Sequence, residues 1–329
     1  MIEVKNILHS LAVDHYNRII RSAIKRTTRD RKHYVDDRLT NKIISDNKKI
    51  NRFLRTLKDD ILINDANTGE NIITAKPENL HKYVTKYNQG FGESFLTSKS
   101  TKDILEHILY YESYEHWNAD LFAAKLNIDT CLYCNRQYIQ SFNKSGKRKR
   151  TLEFDHFYCR NQFPYLALSF YNLIPSCHTC NSTFKGKKVF TINSNLHPYR
   201  EGFSNEVKFS ILPKKIGFIN GISSDYELKF IFKNEKSAFS KRAKKNIQIF
   251  HLRNLYKEHK DVIDEIIMKS QIYNKAYISA LYGSYAGTLF SSPADAVRLV
   301  TSNYTDIDNL HKRPLAKLTR DISKELKLI

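Results

Sequence analysis

Residues 130–134 read Thr-Cys-Leu-Tyr-Cys, and residues 176–181 read Ser-Cys-His-Thr-Cys-Asn. These segments hold two Cys-x-x-Cys pairs, Cys131/Cys134 and Cys177/Cys180. A two-residue spacing lets each pair grip one ion through a tight turn, and four thiolates make the closed tetrahedral cage that suits structural Zn²⁺. The 42 residues between the pairs, 135–176, exceed the about 15–20 of a simple zinc ribbon. The spacing therefore predicts a structural zinc site with a further unit inserted between its halves.

The five cysteines leave alternatives open. Either pair alone could be a redox centre, but two separate pairs in one chain are better explained by one shared metal ion, and we favour zinc. His178 lies inside the second pair and could replace a cysteine as a ligand, although a residue that fills the turn is the simpler interpretation. Cys159 stands outside both pairs and is interpreted as a free thiol without a role.

The insertion carries a carboxylate beside an imidazole. Asp155 and His156 lie in a segment, 152–157, that alternates as a strand does, and Asn181 directly follows the last cysteine. Carboxylate and amide oxygens suit Mg²⁺ or Mn²⁺, whose shell is completed by water and phosphate. An imidazole can take a proton from an attacking water near neutral pH. Asp155 and Asn181 are thus predicted ligands of a catalytic cation, with His156 as the base of phosphodiester hydrolysis.

Two asparagines contribute to this predicted centre in different ways. Zinc at Cys180 would hold Asn181 in place one residue away, so that a structural metal ion positions a catalytic one. Asn172 is predicted to orient the loop and His156 through its side chain. Each residue has a plain alternative, since an Asp-His pair is usually exposed and an Asn before a helix is usually a cap. Their joint order along the chain is what predicts a catalytic centre.

The segment 131–188 resembles the zinc-containing HNH endonucleases, over roughly a fifth of the chain. The resemblance implies a small ββα-metal core, in which a hairpin and a loop lead into a short helix. It makes His156 the general base and Asn172 the central Asn of the motif. Asp155 and Asn181 would bind the catalytic Mg²⁺ or Mn²⁺. The chain departs from the usual pattern in the spacing of the Lys after the final Asn, and its third motif position is Asn rather than His.

A looser resemblance extends beyond this segment. Bacterial HNH proteins of anti-phage systems look similar in four short stretches: 163–168, 197–199, 255–260 and 313–318. In Septu-like systems such a nuclease works beside an ATPase. The resemblance therefore implies a role in anti-phage defence with an ATPase partner, which would dock on the helical flanks.

The charge of the chain favours nucleic acid as the substrate. Lys and Arg total 54 against 34 Asp and Glu, a net charge of +20 at pH 7. Such an excess concentrates polyanions at the surface, and phosphate contacts hold a substrate without reading its sequence. The alternatives are a chain that is merely Lys-rich and a non-catalytic, zinc-braced protein that binds nucleic acid or a partner. We predict cleavage of DNA ahead of RNA, with phosphate contacts at Arg148, Arg150, Lys185, Lys187 and Lys188.

The remaining sequence predicts an α+β fold, with the small ββα-metal HNH core between mainly helical regions. Apolar residues recur at helical steps in a basic N-terminal region, 1–127, and in the C-terminal region, 201–329, after short strands. The core would span 128–200 and contain a hairpin made from 136–142 and 151–157. No apolar stretch approaches the roughly 18 residues that cross a bilayer. With no export signal at the start, a cytoplasmic protein is expected.

Overall fold

Helices flank a centre of short strands in the computed structural model, which describes residues 1–4, 9–21, 47–109, 111, 117–214 and 225–329. The N-terminal helices are α1 His9–Arg21, α2 Lys48–Leu62, α3 Pro77–Phe91, α4 Glu93–Leu96, α5 Lys99–Leu109 and α6 Ala119–Leu126. The C-terminal helices are α7 Ala238–Ile249, α8 Leu252–Lys257, α9 Lys260–Ile272, α10 Lys275–Tyr285, α11 Pro293–Thr301 and α12 Ala316–Glu325. Part of the predicted basic N-terminal region, 22–46, lies outside the described residues.

Within the residues that the structure describes, the strands pair in three small antiparallel sheets. They are β1 Ser141–Lys144 with β2 Lys147–Arg150, β3 Glu153–His156 with β4 Leu173–Ser176, and β5 Val207–Pro213 with β6 Tyr226–Phe232. The predicted α+β class is confirmed at this level. In the part of the chain that the structure describes, no helix combines the length and apolar character needed to cross a membrane.

The predicted hairpin around residue 145 is shorter than expected and excludes the Asp-His pair. β1 and β2 are joined by Ser145 and Gly146, whose φ angles of 50° and 76° suit a tight hairpin turn. Asp155 and His156 instead lie on β3, which pairs with β4. β4 is buried along its whole length, so β3 gains an apolar neighbour there that the mostly exposed β1 could not provide. The prediction that 151–157 pairs with 136–142 is therefore wrong for residues 153–156, and only Thr151 of the predicted strand contacts the predicted partner, through Gln140.

The N-terminal helical region holds the loop that joins β3 to β4, residues 157–172. His15 of α1 donates from Nε2 to the carbonyl of Leu168 at 2.9 Å. The segment before α3 adds two contacts, because the Ile72 carbonyl accepts from Ser169 Oγ and the Ile73 carbonyl accepts from the Phe170 amide. The loop is thus fixed from outside the strand pair that it connects.

We predict a pH-dependent contribution of His15 to stability. The ring is enclosed by the aromatic side chains of Trp117, Phe122 and Phe170, and burial lowers the pKa of His15 to about 4. Between this value and about 6.5 the unfolded chain binds a proton that the folded chain does not. The contribution is therefore complete above pH 6.5 and is lost as the pH falls, at up to roughly 1.4 kcal/mol per pH unit.

Urea unfolding of wild type and His15→Phe at pH 7 and pH 5 tests this prediction. Phe keeps the aromatic packing and removes the titrating group, so the variant should lose less stability than wild type over this interval. His9→Phe, at an exposed position of the same helix, serves as the control and should follow wild type. Equal losses of unfolding free energy between pH 7 and pH 5 for wild type and His15→Phe would contradict the prediction.

Candidate metal centre and catalytic site

The four cysteines of the two pairs meet in the folded chain. Their Sγ atoms all lie within 4.8 Å of one another, and all four residues are buried. Thiolates around one Zn²⁺ at the usual Zn–S distance of about 2.3 Å are about 3.8 Å apart, so this spacing suits a single ion. This cysteine tetrad could therefore hold a metal ion such as zinc. Its members are Cys131, Cys134, Cys177 and Cys180.

The first pair has the backbone of a metal-binding turn. Asn135 adopts a left-handed conformation, with φ of 50°, and its amide donates to the Cys131 carbonyl at 2.8 Å. This geometry directs the amide of Arg136 at Cys134 Sγ, 3.4 Å away. Hydrogen bonds from Cys131 and then from the other two thiols hold the pKa of Cys134 well below its usual range. The amide of Arg136 makes a smaller contribution in the same direction, and the thiolate is the form that binds metal.

The second pair leads directly into a short helix that carries Asn181. This helix, Thr179–Lys185, has a π-helical geometry and is called the Cys180 helix below. The Asn181 amide donates to the Cys177 carbonyl at 3.0 Å, and the helix ends at Gly186, whose φ is 49°. Strand β4 enters the pair from the other side. Asn181 is therefore positioned by the tetrad and by the sheet that contains Asp155.

Asp155 is buried more deeply than an open cation ligand would be. Its Oδ2 accepts from the hydroxyl of Tyr133 at 2.5 Å, and its Oδ1 accepts from Lys185 Nζ at 2.9 Å. The Lys185 side chain is only 1 % exposed and also donates to the His156 carbonyl. The predicted phosphate contact at Lys185 is therefore corrected, because this ammonium group faces Asp155 inside the fold. In this arrangement both oxygens of Asp155 are engaged by protein groups.

His156 is held in one orientation by the 157–172 loop. Its Nε2 lies 3.0 Å from the carbonyl of Ala167, which can only accept, so Nε2 carries the proton and Nδ1 carries the lone pair. The ring is partly buried beside Tyr111, with ring centroids 4.5 Å apart. Burial, and then the charge of Arg160, lower the pKa of His156 to about 3. The imidazole is therefore neutral over the ordinary pH range.

Asn172 closes the same loop with all of its side-chain polar groups. It is fully buried, its Oδ1 accepts from the Tyr158 amide at 2.7 Å, and its Nδ2 donates to the carbonyls of Tyr158 and Leu166. Leu166 directly precedes the residue whose carbonyl orients His156. Asn172 thus fixes the backbone that sets the direction of the imidazole, and it makes no contact that would let it bind a substrate directly.

Asn181 contacts a carboxylate that the sequence interpretation missed. Its Nδ2 donates to Glu153 Oε2 at 2.7 Å, and Ser182 Oγ donates to the same oxygen at 3.1 Å. The other oxygen, Oε1, lies 2.6 Å from His178 Nδ1. No hydrogen bond joins Asn181 to Asp155. Strand alternation could have indicated Glu153, because residues two positions apart share one face of a strand.

The predicted phosphate contacts differ in accessibility. Arg148 on β2 is exposed, and so are Lys187 and Lys188 after the Cys180 helix. Arg150 forms an ion pair with Asp120 at 2.6 Å, and its side chain is only 14 % exposed. Arg150 therefore joins β2 to α6 within the fold, which corrects its predicted role. The three exposed residues stay predicted contacts.

We expect about one zinc ion per chain, bound by the cysteine tetrad. Cys177→Ser should lose the zinc and unfold, because the free energy of structural zinc binding, on the order of 10 kcal/mol, contributes directly to folding. Mass spectrometric metal analysis and circular dichroism measure both effects. Cys159→Ser is the matched control, since it removes a buried thiol outside the tetrad and should keep the zinc. A wild-type chain without bound metal would contradict this prediction.

We also expect Asp155→Asn to lower the free energy of unfolding by about 3–5 kcal/mol, because it leaves the Lys185 ammonium buried without its counter-charge. The double variant Asp155→Asn/Lys185→Met should recover part of this loss. Denaturant unfolding measures both. Glu206→Gln breaks an exposed ion pair with Lys233 and should cost less than about 1 kcal/mol. An equally small loss for Asp155→Asn would show that the buried pair contributes little.

The cysteine tetrad and the strand that carries Asp155 and His156 are the observations on which the interpretation of this site depends. The resemblance to HNH endonucleases rests on the sequence motif alone. Comparison of the chain with models of known protein families, with curated proteins and with solved structures found no match.

Proposed function

We propose that this chain is a metal-dependent endonuclease of the HNH kind, which hydrolyses phosphodiester bonds in DNA ahead of RNA. The observation that supports this most is the oriented, neutral imidazole of His156 at the end of β3, next to a Cys180 helix that presents Asn181. The two paired strands β3 and β4, followed by the short Cys180 helix, support the proposed ββα-metal core. The cysteine tetrad would brace this unit through zinc.

His156 acts as the general base in the proposed reaction. Because Nε2 donates to the Ala167 carbonyl, the lone pair on Nδ1 is the one that accepts a proton from the attacking water. The low pKa keeps the ring unprotonated before substrate binds. An anionic phosphate beside the ring would favour its protonated form and raise this pKa, which strengthens the base when the substrate is present.

Divalent metal binding completes the proposed centre. Bound Mg²⁺ or Mn²⁺ would polarise the scissile phosphate and offset the charge on the leaving oxygen. Asn181 would offer its amide oxygen to the cation from a backbone that is hydrogen-bonded to the Cys177 carbonyl. Lys187 and Lys188 are exposed just beyond the Cys180 helix and would hold neighbouring phosphates.

The proposed substrate and setting follow from charge and from the sequence resemblance. The net charge of +20 supports a nucleic-acid substrate held mainly through its phosphates. We therefore propose that cleavage has a weak preference for nucleotide sequence, or one imposed by a partner, because phosphate contacts do not read bases. An ATPase partner and a role in anti-phage defence are proposed from the resemblance.

Replacement of His156 tests the proposed reaction. In the presence of Mg²⁺ or Mn²⁺, wild type should cleave plasmid DNA, and His156→Ala should lose cleavage by at least about 100-fold because the base is removed. Gel assays of plasmid and RNA substrates measure the rates. His107→Ala, which alters an exposed His on α5, should cleave at the wild-type rate.

Metal analysis and circular dichroism of the same preparations show whether a loss of cleavage comes from the missing base or from loss of zinc or folding. His156→Ala should retain zinc and wild-type secondary structure, because among the described residues the ring contributes one hydrogen bond, to the Ala167 carbonyl, and lies outside the cysteine tetrad. A folded, zinc-loaded His156→Ala chain that cuts as fast as wild type would remove His156 from the mechanism. A zinc-loaded wild type that binds DNA without cutting it would favour the non-catalytic alternative.

A further inference from the structure

We propose that Glu153 is the carboxylate ligand of a hard divalent cation, Mg²⁺ or Mn²⁺, which it binds together with Asn181. This site differs from the predicted pair of Asp155 and Asn181. That the cation there takes part in catalysis rests on the proposed nuclease function. Cation binding itself is argued from the contacts of Glu153 and does not depend on the nuclease function.

Accessibility separates the two carboxylates of β3. A Mg²⁺ or Mn²⁺ ion keeps several water or phosphate oxygens in its shell, so its carboxylate ligand must face solvent. Asp155 is 2 % exposed and already neutralised by Lys185. Glu153 lies two residues earlier on the same strand face, and its side chain is 35 % exposed. Glu153 therefore offers a carboxylate that both an ion and its water can reach.

The groups around Glu153 are themselves possible cation ligands. They are the imidazole of His178, the amide of Asn181 and the hydroxyl of Ser182. No Lys or Arg side chain forms an ion pair with Glu153 within the ranges that the structure describes. Glu153 is thus surrounded by polar side chains that could bind a cation together with it.

The present distances need little change to admit an ion. Two oxygens that are neighbouring ligands of one octahedral Mg²⁺, each about 2.1 Å from it, lie about 3 Å apart. Asn181 Nδ2 and Glu153 Oε2 are 2.7 Å apart. A half-turn of the amide would place Asn181 Oδ1 where Nδ2 is, so the ion would replace a hydrogen bond without a shift of the backbone. That backbone is held by the β3–β4 pairing and by the hydrogen bond from the Asn181 amide to the Cys177 carbonyl.

The zinc-loaded full-length chain, free of nucleic acid, provides the test. Mn²⁺ is titrated into wild type and Glu153→Gln, and free Mn²⁺ is measured by electron paramagnetic resonance. Glu153→Gln should weaken the tightest Mn²⁺ site by at least about tenfold, because an amide cannot supply the carboxylate charge. Glu153→Asp, which keeps the charge on a shorter side chain, should bind Mn²⁺ with an intermediate affinity.

Glu206→Gln is the matched control. Glu206 has a similar exposure, 44 %, and also accepts a side-chain hydrogen bond, but it lies outside the Cys180 helix and β3. This variant should bind Mn²⁺ as wild type does. The proposal is overturned if folded, zinc-loaded Glu153→Gln binds Mn²⁺ with wild-type affinity. It is also overturned if Glu206→Gln weakens Mn²⁺ binding as much as Glu153→Gln does.

The readout separates this proposal from the proposed function. If wild type fails to cleave nucleic acid but its Mn²⁺ affinity depends on Glu153, the nuclease proposal falls and the cation site stands. If cleavage depends on His156 while Glu153→Gln binds Mn²⁺ normally, the nuclease proposal stands and Glu153 is not a ligand.

Discussion

The meeting of the four cysteine sulfurs is the contact on which the arrangement of this chain depends. It brings together two segments separated by 42 residues, and other parts of the chain gather on the first pair. The amide of Ile2 donates to the Leu132 carbonyl, and the hydroxyl of Tyr256 donates to the Cys134 carbonyl. The side chain of Asn135 bonds the backbone near the C-terminal end of the chain, including the Leu310 carbonyl. Loss of the tetrad would therefore loosen several regions at once.

The helical flank has a physical connection to His156, the proposed base, through the 157–172 loop. His15 and the segment before α3 hold this loop from one side, and Asn172 closes it from within. The loop in turn supplies the Ala167 carbonyl that selects the tautomer of His156. A change far from the strands can thus alter the direction of the imidazole. This connection gives the N-terminal helices a role in positioning the proposed base, beside any role in binding a partner.

The sequence predicted the features that depend on local pattern. It did not predict which strands pair or which polar side chains are buried. The spacing of the cysteine pairs predicted the tetrad, and helical periodicity with short strands predicted an α+β fold. The alternation of 152–157 predicted a strand but could not tell which strand would be its neighbour. The position of Lys185 shortly after Asn181 favoured a phosphate contact at the surface. The fold instead places its ammonium group against Asp155 in the interior. Glu153 was missed because its neighbours, His178 and Asn181, lie far along the chain.

Electrostatics explains why two carboxylates on one strand face have different uses. A buried carboxylate needs a partner charge, and Asp155 is held by Lys185 within a chain of net charge +20. Glu153 lies at the surface among the hydrogen-bond donors His178, Asn181 and Ser182. Four thiolates around one Zn²⁺ together carry two negative charges, and this anionic cage would begin one residue from Asn181. Zinc binding would therefore favour a second cation, Mg²⁺ or Mn²⁺, at Glu153. In this arrangement Zn²⁺ would both hold Asn181 in position and make the surroundings more favourable for the cation that Asn181 binds.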